Sequence, residues 1–90
     1  MTTKAVTINE NTFTKVVSDV SINFLLQNVA DTNVNILVRA AGASATVDAE
    51  LAKAAIQLSP GIAIDRGMVG DGEIWALAST PTAIISVTGG

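Results

Sequence analysis

What most restricts this chain is its punctuation. Runs of Thr, Val and Ile are broken by Asn, Asp, Gly or Pro at intervals of about ten residues. β-Branched side chains fit a pleated, half-buried surface, and the interrupting residues fit turns. That spacing is the signature of a sandwich or barrel of short strands. Ala5-Val6-Thr7-Ile8 reads as a first strand, ended by Asn9-Glu10-Asn11, and Phe13-Thr14-Lys15-Val16-Val17 as a second, ended at Ser18-Asp19.

The next segments alternate more clearly. In Ser21-Ile22-Asn23-Phe24-Leu25-Leu26-Gln27-Asn28, strand periodicity puts Ile22, Phe24 and Leu26 on one face and Asn23, Leu25 and Gln27 on the other. After Val29-Ala30-Asp31-Thr32, the run Asn33-Val34-Asn35-Ile36-Leu37-Val38-Arg39 turns Val34, Ile36 and Val38 inward. These two segments are expected to pair with each other, antiparallel. Ala40-Ala41-Gly42-Ala43-Ser44-Ala45 reads as loop. Asp48-Ala49-Glu50-Leu51-Ala52-Lys53-Ala54-Ala55 has good helix propensity, and the reading here is a loop with one helical turn over 48–55.

Further on, Ser59-Pro60-Gly61 is a turn with a mechanism: Pro presets φ at the second position and Gly tolerates positive φ at the third. Ile62-Ala63-Ile64-Asp65 is a short strand, and Gly70-Asp71-Gly72 a small polar turn facing solvent. Glu73-Ile74-Trp75-Ala76-Leu77-Ala78 is apolar on both faces and therefore central. Ala83-Ile84-Ile85-Ser86-Val87-Thr88 closes the chain before Gly89-Gly90. The expected fold is all-β: one compact sandwich or jelly-roll-like domain over 1–90, with seven to eight short antiparallel strands.

Chemistry is harder to place on these residues. The chain has no Cys and no His, which removes thiol nucleophiles, imidazole bases, disulfides and His or Cys metal ligands. Five Asp and three Glu remain, mostly isolated between turn residues. Asp65 beside Arg66, and Asp71 near Glu73, are the closest groupings and read as turn carboxylates. Asp31-Thr32-Asn33-Val34-Asn35 begins like a calcium loop, but Ile36 and Gly42 stand where that loop needs Gly and Glu. Gly67, Gly70 and Gly72 precede no Lys-Ser or Lys-Thr and make no phosphate cradle. No cofactor or metal is implied.

Charge argues the same way. A net charge of -3, with Lys4, Lys15, Lys53, Arg39 and Arg66 scattered, supplies no basic stripe for nucleic acid. No apolar run reaches the ~18 residues of a membrane span, and Met1 to Thr7 carries no apolar signal core, so synthesis in a cytoplasm is expected. Only 14% of residues are charged, roughly half the usual share of about 25%, while 49% are hydrophobic. A chain this short buries only roughly 60–65% of its unfolded surface. Much of its exterior must then be apolar or merely hydroxyl-bearing, and self-association or a larger partner is the economical way to cover it.

Two residues invite sharper readings. Trp75, the only Trp, is either a core aromatic flanked by Ile74 and Leu77 or a stacking platform for a ligand such as a sugar. Gly89-Gly90 matches the reactive end of ubiquitin-like modifiers and sulfur carriers, whose β-grasp fold is a hairpin, a helix and further strands. Against that, Ile85-Ser86-Val87-Thr88 leads into the diglycine as a strand.

Taken in order, Phe24-Leu25-Leu26-Gln27-Asn28, Leu58-Ser59-Pro60-Gly61, Ile74-Trp75-Ala76-Leu77-Ala78-Ser79 and Ile85-Ser86-Val87-Thr88 resemble small virion proteins of tailed bacteriophages. There, similar motifs recur in a compact all-β domain. The resemblance runs from about Ser21 to Thr88 and fits least well over 40–55. It implies a structural, non-enzymatic role: a capsid cement or decoration protein, or a domain of a head or tail fibre assembly. It also implies a homotrimer whose partner is the major capsid protein or another virion protein, with the phage particle as its location. The interface is expected in the accessible, weakly charged segments that order on contact. These are the amino-terminal stretch, with Met1, Thr2, Thr3 and Lys4, and the loop over 40–47, with Ala41, Gly42, Ala43 and Ser44.

Overall fold

A computed structural model describes residues 3–42 and 56–89, and these described residues form eight strands and one helical turn. They are β1 (Thr3–Ile8), β2 (Thr14–Val17), β3 (Leu25–Asn28), β4 (Val34–Arg39), β5 (Ile56–Leu58), β6 (Ala63–Asp65), α1 (Arg66–Val69), β7 (Glu73–Ala78) and β8 (Ala83–Thr88). Two four-stranded sheets result, β1-β8-β3-β6 and β2-β7-β4-β5, and every pairing is antiparallel. This is the all-β sandwich expected from the punctuation. β7 lies inside its sheet between β2 and β4, as its two apolar faces required.

The side chains between the sheets form the main core. Ile8, Leu26, Val34, Ile36, Ile74, Ile85 and Val87 are almost wholly buried there, with Ala76, Ala78 and Ala83 as small neighbours. Along β3 the burial alternates as predicted, with Leu26 in and Leu25 and Gln27 out. In β2 the register shifts between Lys15 and Val17, and this bulge lets Val16 and Val17 both face the core.

Pairing was misjudged at one place. β3 and β4 do not form a hairpin. β3 pairs with β6 and β8, β4 with β5 and β7, and the two lie in different sheets. The connection over 29–33 is an arch, and Asn28 builds it. Its buried side chain accepts from Ala30 N at 2.9 Å and donates to Thr32 O at 2.9 Å and Leu58 O at 3.0 Å. Asn9 turns the chain at the arch between β1 and β2, accepting from Asn11 N and Thr12 N at 2.9 and 3.0 Å. An Asx turn of this kind redirects the chain without the Gly that a two-residue hairpin needs. Among the described residues, β4 and β5 are the one consecutive strand pair that remains in one sheet.

Other expectations meet mixed fates. Ser59-Pro60-Gly61 is the turn foreseen: Ile62 N donates to Ser59 O at 3.1 Å and Gly61 has φ 84°. Ile22 is 41% exposed rather than core, because β3 does not begin until Leu25. Gly72 is buried, not a solvent tip. A Cβ there would lie 2.5 Å from Val38 Cγ1 and 3.0 Å from Arg39 O, so only Gly admits this close approach. The helical turn that forms is α1, capped by Asp65, whose carboxylate accepts from Met68 N at 3.0 Å. The turn expected over 48–55 lies outside the described residues.

Candidate functional site

The outer faces of the two sheets differ in kind. On the β2-β7-β4-β5 sheet, Lys15, Trp75 and Leu37 stand in register across three strands. Phe13, Leu37 and Leu77 are buried together there as a second apolar cluster, with half-buried Trp75 packed against it. Lys15 Nζ lies 3.2 Å from Glu73 Oε2 and 5.3 Å from the centre of the Trp75 ring. Both readings of Trp75 therefore need adjusting. It belongs to a satellite cluster rather than the main core, and a lysine ammonium stands over its ring. Glu73 Oε1 and Trp75 Nε1 are buried without a hydrogen-bond partner among the described residues.

The β1-β8-β3-β6 sheet turns a different surface outward. Thr3, Thr88, Leu25 and Asp65 form one row; Ala5, Ser86 and Gln27 form the next; Thr7 and Ile84 form a third. Leu25 is 49% and Ile84 47% exposed. Ile62 and Val29, at the rim, are exposed as well. Asp65 is the one charged side chain in these rows, and its carboxylate is already engaged as the cap of α1. Hydroxyls make up most of the remaining polarity, and Thr3 and Thr88 bond to each other through their Oγ1 atoms at 2.8 Å. An open groove of about 500 Å³ borders the face at the Thr7 and Ile84 end, and one of about 340 Å³ at the Leu25 and Asp65 end.

Arg66 holds the end of the sandwich beside that second groove. The sequence reading treated it as one of five scattered charges. Instead it is only 7% exposed. Its guanidinium donates to Ile22 O (2.9 Å), Gly70 O (2.9 Å), Gly72 O (2.8 Å) and Asp19 O (2.8 Å). It also stacks 4.8 Å from the centre of the Phe24 ring. Four main-chain acceptors from two separate segments satisfy the rigid fork of donors that a guanidinium offers. The segment before β3 and the crossing from β6 to β7 are thereby fixed to one another.

The predicted interface residues fall in two places. Thr3 and Lys4 are exposed, but they sit in β1, hydrogen-bonded to β8. From Thr3 on, the amino-terminal stretch is thus an edge strand. Ala41 and Gly42 are exposed beyond the end of β4. Thr3 shares its row with Asp65, from which α1 crosses to Glu73, and Glu73 pairs with Arg39. The two stretches therefore end on the same side of the sandwich but on different sheets. Met1, Thr2, Ala43 and Ser44 lie outside the described residues. Leu25, Ile62 and Ile84, exposed on or beside the β1-β8-β3-β6 sheet, are not among the predicted interface residues. Of the three, only Ile84 stands on a strand that also carries Ser and Thr.

Asp19 accepts from Ser21 N and Asp65 from Met68 N, so both serve as turn acceptors. Among the described residues no three His, Cys, Asp or Glu side chains are grouped as a metal would require. Comparison with known proteins finds no matching family model, no matching curated protein and no matching solved structure.

Proposed function

We propose that this is a non-enzymatic structural protein that docks on a larger assembly through the outer face of the β1-β8-β3-β6 sheet. The observation that carries this reading is that face itself: exposed Leu25 and Ile84 amid Thr, Ser, Ala and Gln, with a single carboxylate. A neutral sheet with half-exposed aliphatics loses little by leaving water, since few charges need desolvation. Its short side chains also lose little rotamer freedom on contact.

The resemblance to phage virion proteins supplies the assembly. On this reading the chain is a capsid cement or decoration protein. It is made in the host cytoplasm and carried on the particle, where it meets the major capsid protein or another virion protein. Binding the assembled shell stabilises it by mass action, and repeated copies add avidity. Neither nucleic acid nor membrane is a partner. The sulfur-carrier alternative gains nothing from two stacked four-stranded sheets with β8 inside one of them. The carbohydrate alternative is weakened by Lys15 over Trp75.

The experiment is loading onto purified shells. Ile84→Lys places a charge on the face without touching the core. It should fold normally, fail to load and leave shell heat resistance unimproved. Full loading by folded Ile84→Lys would contradict the assignment of this face.

A further inference from the structure

An antiparallel sandwich has four edges, and here they are not alike. The β6 edge is three residues long and runs directly into α1. The β5 edge is three residues long among the described residues. The β2 edge has four residues and a bulge. Shortness and bulging keep sheet edges from pairing with other chains, and so do charged side chains. β1 has neither of the first two, and Lys4 is its one charge. It is six residues of regular strand, Thr-Lys-Ala-Val-Thr-Ile, without Pro or bulge. Among the described residues it pairs on one side only, with β8.

We infer that β1 pairs with β1 of a second copy, antiparallel, about a two-fold axis at Val6. The occupant follows from charge and register. A two-fold axis normal to the sheet keeps both cores on the same side, so residues of like parity must face each other. Two registers then fit. With Ala5 on the axis, each Lys4 would lie diagonal to its copy, a like-charge contact that opposes pairing. With Val6 on the axis, Lys4 faces the partner's Ile8, and the two lysines stand four residues apart along the strand. Lys4 then approaches the end of the partner's β1, where exposed Glu10 follows and offers an opposite charge. Ala5 faces the partner's Thr7, both small and exposed.

Such pairing closes on two copies, not three, and replaces the trimer that the resemblance implies. It continues the neutral outer face across both protomers. It also stands apart from shell docking: a dimer that ignores shells would keep this inference, and a monomer that loads them would end it.

Sedimentation at micromolar concentration should give a dimer for the parent chain. Ala5→Lys sets two new lysines diagonal across the axis and should weaken the dimer by about tenfold or more. Because the chain has no Cys, Val6→Cys provides a single thiol that should cross-link to a covalent dimer on mild oxidation. Gln57→Cys, exposed on β5, should not. A monomeric or trimeric parent overturns the inference, as does Val6→Cys cross-linking no better than Gln57→Cys. Should Ala5→Lys lose its strand signal in circular dichroism, the cross-linking result decides alone.

Discussion

The two sheets share a core and differ on their outer sides. Outside the β2-β7-β4-β5 sheet, Leu37 and Leu77 are as buried as core residues, and Lys15 and Glu73 form an ion pair. Outside the β1-β8-β3-β6 sheet, Leu25 and Ile84 are half exposed and no ion pair forms among its outward rows. Position on an outer face thus says little about what a residue does. A leucine on one sheet stabilises the domain, whereas a leucine on the other stays half exposed. Scattered exposed aliphatics are ordinary, but here they lie within a few strands of each other on a surface nearly free of charge.

The most damaging change should be at the seam between the sheets. Arg66→Met removes the donor shared by four main-chain carbonyls and should cost about 4 kcal/mol or more, since bonds to charged donors count for roughly 1.5–3 each and are not additive. Thermal unfolding would show it, and a fall below about 1 kcal/mol would mean that water replaces the guanidinium. Next comes the direct contrast. Leu37→Ala should destabilise by roughly 2–4 kcal/mol, although it faces outward, whereas Ile84→Ala should cost under about 1 kcal/mol. Equal losses in urea titrations would erase the difference between the faces.

Trp75→Ala should fall between these, at about 2 kcal/mol, because a half-buried ring forfeits part of the packing that a core aromatic loses. A variant that keeps its melting temperature but loses a bound partner would make Trp75 a recognition residue instead. The smallest effect should be Lys15→Ala, about 0.5 kcal/mol and partly masked by salt, since Lys15 is 38% exposed. The check is the same melting experiment at low and high ionic strength.

Strand positions were legible because they depend on local patterns. The alternation of Phe24, Leu25, Leu26 and Gln27 and the Ser59-Pro60-Gly61 turn are short-range signals, and both formed as read. Strand partners depend on what the turns do, and Asn28 looked like the last residue of a strand rather than the pin of an arch. Arg66 was illegible for a similar reason. Its acceptors come from Asp19, Ile22, Gly70 and Gly72, whose proximity exists only in the fold. Gly72 read as a turn glycine because Val38 and Arg39, which exclude a side chain there, are more than thirty residues away. The candidate face was partly legible. Thr3 and Lys4 were singled out from the sequence and lie on its edge strand, but the exposure of Leu25 and Ile84 follows from their sheet, not from their neighbours in the chain.

The working surface can be read directly by hydroxyl-radical footprinting of side chains, on the free protein and on shells loaded with it at matched concentration. Docking through the β1-β8-β3-β6 sheet predicts that oxidation of Leu25, Ile62 and Ile84 falls on loading, while Ile56, exposed at the edge of the other sheet, reacts as before. Protection of Ile56 and Trp75 with Leu25 and Ile84 unchanged would contradict it.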